Sequence, residues 1–266
     1  MKALLAIITS MSLASALARD WQAELSRKPG DFPALRPLKA TYDFGWGGLK
    51  AARAEVDFTR TDSGQFQLTI KGASVGAPRA LWKMDSTSTS IVQPKSLLPV
   101  ELIQNEIYSD EARKTTVVFG PESVSRTRVT KPADDGSGKT KRFKFAPVHD
   151  LHSALLFVRS QPLQQGDNIR LVVYPAADAY FAELEVLGRD TVKAAGRSWP
   201  AIKVELKLQR VNKKLELQPH KKFKKAVAWL SDDSDRLLLR IESEVMIGKV
   251  WMDLTNFQFA DVAARP

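Results

Sequence analysis

Three carboxylates lie within four positions of the chain, at Asp232, Asp233 and Asp235, between two apolar runs. Carboxylates this close together can bind a divalent cation, share acid–base catalysis or cap a tight turn. The segment lacks the glycine that a calcium-binding loop needs, and a run of leucines begins at Leu237. Because Asp and Ser side chains accept hydrogen bonds from nearby backbone N–H groups, the pattern favours a hairpin tip. We predict no metal site and no cofactor for the chain.

The segment Gly72-Ala73-Ser74-Val75-Gly76 has the G-x-S-x-G spacing that exposes a nucleophilic serine in serine hydrolases. That turn belongs to a parallel strand–helix core, whereas this sequence reads mostly as hairpin-linked strands. Only His220 lies far enough downstream to act as the usual base, and its lysine neighbours disfavour the imidazolium that a base must become. We therefore predict no catalytic residue and keep a serine hydrolase that uses Ser74 as the alternative.

His149 and His152 have the i, i+3 spacing of metal-binding histidines on a helix. The same segment begins a helical pattern, whose apolar face carries Leu151, Ala154, Leu155 and Val158. Asp150 suits the N-cap position because its carboxylate can accept a free backbone N–H of the first turn, which leaves His149 outside the helix. The pattern predicts a capped helix over residues 150–161, ended by Pro162, and not a metal pair.

Alternation with a period of two residues dominates the rest of the chain and predicts strands with one buried face. On the first strand the apolar positions are Leu38, Ala40, Tyr42, Phe44 and Trp46. A returning strand follows the turn at Gly47-Gly48, and about a dozen such strands are separated by short turns. The sequence therefore predicts a mainly β protein, with a curved antiparallel sheet (an open barrel or wrapped sandwich) and one packed α-helix on its concave side.

Three local features refine this prediction. The polar segment 131–141 is typical of a long hairpin tip, and residues 76–84 can form a short turn of helix. The buried parity of the last strand region switches at Gly248-Lys249. Since one extra residue exchanges the two faces of a strand, the switch predicts a β-bulge.

The chain begins MKALLAIITSMSLASALARD, in which one lysine precedes an apolar run that ends in Ala16-Leu17-Ala18. This order is typical of a secretory signal peptide cleaved after Ala18. The apolar run is shorter than the roughly 20 residues that span a bilayer, so we predict no transmembrane span in the mature form. The predicted protein is periplasmic and consists of a signal peptide (1–18), a polar lead (19–37), a single β-rich domain (38–256) and a C-terminal tail (257–266).

The chain is basic, with 40 Lys and Arg residues against 30 Asp and Glu residues and a net charge of +10. In a periplasm such a charge favours anionic lipid headgroups and acidic or phosphorylated glycans as partners, and it argues against nucleic acid. Two clusters carry much of it, KTKRFK at 139–144 and KKFKK at 221–225. The predicted anionic contacts in the second cluster are Lys221, Lys222, Lys224 and Lys225. The alternative is a lysine-rich edge strand that blocks sheet-to-sheet aggregation.

A ligand site is expected on the concave face of the sheet beside the helix at 150–161. The predicted lining residues are Tyr42, Trp46, Trp82, Leu155 and Arg159. Trp46 also lies in a strand-like segment, as do Trp229 and Trp251, and this context favours the core for all three.

Three stretches together resemble a known family. They are YDFGWGGLKAARAEVDF (42–58), DLHSALLFVRSQPLQQGD (150–167) and WLSDDSDRLLLRIESEVMIGKVWMDL (229–254). Their order and spacing are similar to the bacterial exported family called domain of unknown function 3108, over roughly residues 38 to 256. Leu238 departs from the proline expected there in many relatives. The resemblance implies an antiparallel β protein of the cell envelope and carries over no catalytic residues.

These observations predict a non-enzymatic periplasmic protein that binds or chaperones an amphiphilic envelope component, such as a lipid, a glycolipid or a lipoprotein. Two alternatives stay open. One is the serine hydrolase acting through Ser74, and the other is a structural envelope module that binds partners through strand edges or lysine clusters.

Overall fold

The alternating segments of the sequence form a single run of strands in the computed structural model, which describes residues 20–31, 35–220, 223–245 and 248–260. Fifteen strands and two helices occupy these residues. The strands are β1 (Leu38–Trp46), β2 (Leu49–Arg60), β3 (Phe66–Ser74), β4 (Met84–Val92), β5 (Pro99–Tyr108), β6 (Ala112–Phe119), β7 (Val124–Lys131), β8 (Thr140–Phe143), β9 (Asn168–Val173), β10 (Ala179–Ala194), β11 (Arg197–Val211), β12 (Leu217–Pro219), β13 (Phe223–Ser231), β14 (Leu238–Val245) and β15 (Gly248–Phe259). The helices are α1 (Gly76–Leu81) and α2 (Leu151–Ser160).

The strands form one antiparallel sheet in the order β8-β7-β6-β5-β4-β3-β2-β1-β15-β14-β13-β11-β10-β9, with β12 paired to β11. Most neighbours are joined by hairpins, and β1 pairs with β15 to connect the two halves of the chain. The path does not close, because β8 and β9 stand at its two ends. The predicted class, a mainly β protein with a curved antiparallel sheet and one packed helix, is confirmed.

The principal core lies between α2 and the sheet. Leu156, Phe157 and Val158 of the helix pack with inward-facing side chains such as Phe58 of β2 and Leu239 of β14. A second cluster links the two ends of the sheet. It contains Leu102, Val117, Val124 and Phe143 from one end and Val172, Phe181 and Val211 from the other. The sheet therefore curls until its ends face each other, and we call the place where they meet the seam.

Helix α2 begins as the sequence predicts. The Asp150 carboxylate accepts a hydrogen bond from the Ser153 N–H at 2.7 Å, and the Asp150 N–H donates to Ser153 Oγ at 3.0 Å. This reciprocal pair is a capping box. The predicted apolar face was wrong in phase, because Leu151 is 59% exposed while Leu156 and Phe157 are fully buried. The curled sheet covers more of the helix than the single stripe that the sequence pattern assumed.

The tip of the β1–β2 hairpin departs from simple alternation. The register shifts between Phe44 and Gly45, and the indole of Trp251 lies across Gly45, where a Cβ would be only 2.1 Å from the ring. Gly47 takes a positive φ of 55° in the turn, and its carbonyl accepts the Trp251 Nε1–H at 2.8 Å. Because of this shift Trp46 points outward and is 49% exposed, so its predicted core position was wrong.

Other local predictions have mixed outcomes. Residues 76–81 form the short helix, and 132–139 form the tip between β7 and β8. The predicted bulge at Gly248 was wrong. Strand β14 ends at Val245, which pairs with Gly248, and Gly248 is the first residue of the separate strand β15. Strand β15 extends to Phe259, three residues beyond the predicted boundary at 256. The predicted signal peptide, residues 1–18, lies outside the described residues.

Candidate functional site

The carboxylates of the β13–β14 hairpin stabilise its turn. One oxygen of Asp233 accepts hydrogen bonds from the Ser231 hydroxyl at 2.7 Å, the Asp235 N–H at 2.9 Å and the Arg236 N–H at 3.1 Å. Asp232 forms an ion pair with Arg189 at 2.7 Å. These contacts confirm the predicted hairpin tip.

The same hairpin holds the end of helix α2 and the N-terminal lead. The Asp235 carboxylate forms a two-pronged ion pair with Arg36 at 2.8 and 2.6 Å. The backbone carbonyl oxygen of Asp235 accepts two hydrogen bonds from Arg159. Arg236 donates to the carbonyls of Gln161 and Pro162. The hairpin therefore joins two segments that are distant from it in sequence, and we call it the clamp.

The predicted concave site divides into two parts. Tyr42, Leu155 and Arg159 meet in the principal core, where the Tyr42 hydroxyl donates to the Leu238 carbonyl at 2.9 Å. Burial raises the pKa of Tyr42 and lowers the pKa of Arg159. Trp46 and Trp82 are instead 49% and 54% exposed, and Trp82 contacts the Tyr108 ring. The structure thus brings three of the five predicted lining residues together, in a packed region, and leaves two on the surface.

Ser74 occupies the end of β3 in a buried position. Its hydroxyl accepts the Met84 N–H at 3.0 Å and lies 3.4 Å from the Met84 carbonyl. Strand β3 has antiparallel neighbours on both sides, in contrast to the parallel strand that carries a nucleophile elbow. The hydroxyl is therefore part of the backbone hydrogen bonding between β3 and β4.

The His149 segment forms a buried polar network under helix α2. Asp150 accepts a short hydrogen bond from Ser90 of β4, and His152 Nε2 lies 3.3 Å from Ser88 Oγ. Burial lowers the pKa of His149 to about 4 and also lowers the pKa of His152. The network anchors the start of the helix to β4. Within the described ranges, no three His, Cys, Asp or Glu side chains lie close enough to hold a metal ion.

The second lysine cluster is only partly described. Lys221 and Lys222 lie outside the described residues, as does the side chain of Lys224. Lys225 forms an ion pair with Glu205 at 2.8 Å, and Lys207 approaches the same carboxylate at 3.0 Å. The charge of Lys225 is therefore balanced by Glu205 on the surface of the sheet.

A cleft of about 1010 Å³ lies at the seam, which the sequence did not identify as a site. One wall comes from β7 and β8, and the other comes from the segment before β10, the end of β11 and the turn into β12. The lining residues are Arg126, Arg128, Thr140, Lys141, Arg142, Phe143, Tyr174, Ala177, Asp178, Ala179, Arg210, Val211, Asn212, Lys213, Lys214, Glu216 and Gln218. We call this the seam cleft.

The seam cleft is strongly cationic. Seven of its lining side chains are Lys or Arg, against the two acids Asp178 and Glu216. Asp178 is paired with Arg210 at 2.7 Å, and Glu216 accepts a hydrogen bond from Asn212 at 2.7 Å. No ion pair joins the remaining cations of the cleft to another described side chain. The excess positive charge is therefore available to an anionic group.

The floor of the cleft is apolar and aromatic. The Phe143 and Tyr174 rings stack with their centroids 6.2 Å apart, beside buried Ala179 and Val211. The N-terminal lead supports this floor from behind, since Trp21 packs on Phe145 and Phe181 in the same cluster. The cleft thus combines an apolar base with a basic wall.

Arg126 is the most deeply placed cation of the cleft and is only 7% exposed. It lies on the inward face of β7, between Val117 of β6 and Lys141 of β8 in the register of the sheet. Its Nη1 donates a hydrogen bond to the Ala176 carbonyl at 3.4 Å, and its Nε has no hydrogen-bond partner among the described residues. A buried guanidinium without a carboxylate partner is costly, which marks this position as unusual for a purely structural residue.

The basic residues that form this cleft lie in separate segments of the sequence. The cluster at 139–144 supplies Lys141 and Arg142. Arg126 and Arg128 share the parity of buried Val124 on their strand, so the alternation places two arginines on an inward face. Arg210 reaches the same cleft only through the curl of the sheet.

Comparison with known proteins gives a family and a fold. The family model described as a protein of unknown function, DUF3108, matches residues 41–255. No curated protein matches the chain. Among solved structures, a β-barrel-like protein of the domain of unknown function DUF1849 from Brucella abortus is similar, with a TM-score of 0.56 and 10% identity over 86% of this chain and 99% of that one.

Two further structures are similar over much of the chain at lower scores. A Bacteroides fragilis protein with a YmcC-like fold has a TM-score of 0.34 and 10% identity, covering 86% of this chain and 99% of that chain. The MucA/MucB complex of Pseudomonas aeruginosa has a TM-score of 0.31 and 13% identity, covering 87% of this chain and 53% of that chain.

No helix within the described ranges has both the length and the apolar character needed to cross a bilayer.

Proposed function

The chain belongs to the DUF3108 family, and from that premise we propose that it is a non-enzymatic protein of the bacterial periplasm that holds an amphiphilic envelope component in the seam cleft. The component would be a lipid, a glycolipid or the acyl chain of a lipoprotein. Export is part of the proposal and is supported by the signal-peptide order of residues 1–18.

The division of the seam cleft into an apolar floor and a cationic wall carries this proposal. An amphiphile has the same division, since its chain can cover Phe143, Tyr174 and Val211 while its anionic head meets the lysines and arginines. The volume of about 1010 Å³ is at the upper end of the range of about 300–1000 Å³ for small-molecule sites, which suits a chain-bearing ligand.

The position differs from the concave site that the sequence favours. Tyr42 and Arg159 are engaged there with backbone carbonyls of the clamp, and helix α2 fills the space beside them. Ligand binding in that region would require the principal core to open. The seam is accessible without such a change, because it lies where the sheet fails to close.

Native mass spectrometry of the protein purified from a periplasm tests the proposal. Ala177 is an exposed residue of the cleft, so Ala177→Trp should obstruct the site without disturbing the core. Ala80→Trp, on an exposed position of α1, is the matched control. We expect an amphiphile adduct on the wild type and on Ala80→Trp, and its loss from Ala177→Trp. A wild type that carries no adduct and takes up none from an envelope lipid extract would contradict the proposal.

A further inference from the structure

Resting on the proposed function, we infer that the seam cleft selects a phosphate group, with Arg126 as the residue that holds it. Among the described residues, Arg126 Nε is the one buried guanidinium nitrogen of the cleft that has no hydrogen-bond partner. Arg126 is also one of the residues that line the cleft.

Arg126 is part of a convergent group of cations. Lys141 lies directly opposite it across the β7–β8 pair, so both side chains project from the same face of the sheet. Arg128 follows two residues later on that face, and its Nε is held by Thr115 Oγ1 at 3.2 Å. Three cations from two neighbouring strands therefore border one volume, with no described carboxylate paired to any of them.

The chemistry of the group that fits this arrangement follows from charge and geometry. A guanidinium presents its N–H groups as a planar fork that matches the oxygens of phosphate or carboxylate. A terminal phosphate carries nearly two negative charges at neutral pH and offers three strong acceptor oxygens. It can thus meet Arg126, Arg128 and Lys141 together, whereas a carboxylate has one charge and two oxygens. An uncharged sugar or glycerol head would leave Arg126 uncompensated in a buried site.

Lipid phosphate and free phosphate share this chemistry, and the apolar floor distinguishes them. Phe143 and Tyr174 lie beside the cation group and can pack against an alkyl chain. A phosphate that carries such a chain should therefore bind more tightly than inorganic phosphate, because it also removes apolar surface from water.

Calorimetric titration with three probes tests the inference. The probes are dodecyl phosphate below its micellar concentration, uncharged dodecyl maltoside and inorganic phosphate. The variants are Arg126→Gln, which removes the buried charge, Arg126→Lys, which keeps it without the fork, and Lys141→Gln at an exposed position. Lys95→Gln removes one charge from a surface turn and is the control.

We expect dodecyl phosphate to bind the wild type at least about tenfold more tightly than dodecyl maltoside, because the maltoside has no anionic group to pair with the cationic side chains of the cleft. Arg126→Gln should remove this preference, and Arg126→Lys should restore only part of it. Lys141→Gln should weaken dodecyl phosphate by about threefold, and Lys95→Gln should match the wild type. Because Lys141→Gln is a surface change, it reports on the site even where an Arg126 variant fails to fold.

The outcomes separate this inference from the proposed function. Equal binding of dodecyl phosphate and dodecyl maltoside, unchanged in Arg126→Gln and Lys141→Gln, overturns the phosphate site but leaves the amphiphile site standing. Inorganic phosphate binding as tightly as dodecyl phosphate, with Arg126 required, supports the phosphate site and contradicts the amphiphile. Absence of binding by all three probes contradicts both.

Discussion

The carbonyl oxygen of Asp235 accepts two hydrogen bonds from the buried guanidinium of Arg159, at 3.2 and 2.8 Å. This contact joins the β13–β14 hairpin to helix α2 over 76 positions of sequence. It gives Arg159 a structural role in the core.

Arg159→Ala should lower the free energy of unfolding by about 2–4 kcal/mol, since it leaves the Asp235 carbonyl unpaired and creates a void beside Tyr42. Chemical denaturation measures this change, with Lys95→Ala as a surface control. A variant that keeps its stability but loses amphiphile binding would instead support Arg159 as a ligand residue.

Asp233→Ala should cost about 1–2 kcal/mol of stability, because three hydrogen bonds to one carboxylate oxygen disappear from the hairpin turn. Asp233→Asn retains an acceptor oxygen and should cost less. Amphiphile binding should be unchanged in both variants, and its abolition in a folded Asp233→Ala protein would show that the hairpin belongs to the binding site.

Stability should fall on acidification through His149, whose pKa is lowered to about 4 by burial against an ordinary value of 6.5. Above about pH 6.5 the imidazole is neutral in both states and the stability is full. As the pH falls toward 4, the unfolded chain binds a proton that the folded chain does not. The free energy of unfolding therefore falls by up to about 3 kcal/mol.

Denaturation at a series of pH values checks this effect. His149→Gln should reduce the slope of unfolding free energy against pH between 4 and 6.5. Equal slopes for the variant and the wild type would be inconsistent with a buried neutral His149.

Gly45→Ala should destabilise the sheet by about 1–3 kcal/mol, because its Cβ would meet the Trp251 ring at 2.1 Å. Gly48→Ala is the matched control, since a Cβ there has no atom within 4 Å. The double variant Gly45→Ala/Trp251→Ala should lose less stability than the sum of the two single changes. Strict additivity of the two losses, measured by denaturation, would argue against this contact.

Features that depend on neighbouring residues could be predicted from the sequence. The Asp150 cap of α2 and the Asp233 turn each involve partners within three positions, so residue type and spacing are sufficient to identify them. The family likeness likewise depended on local segments, and the family model confirms it over residues 41–255.

Features that depend on the curl of the sheet could not be predicted in this way. Trp46 was placed in the core because period-two counting continues through Gly45, where the register shifts. The seam cleft brings Arg126 and Arg210 together across 84 positions, and no pattern within either strand specifies the other wall. The place where the two ends of the open sheet meet depends on the accumulated twist of the strands and on the packing of the second core cluster.

An NMR titration of the isotope-labelled protein with dodecyl phosphate shows whether the seam cleft binds an amphiphile. We expect little change at Tyr42 or Arg159 and the largest backbone shift changes at Arg126, Phe143, Tyr174 and Val211. Shift changes concentrated at Tyr42, Leu155 and Arg159, with the seam unaffected, would contradict it.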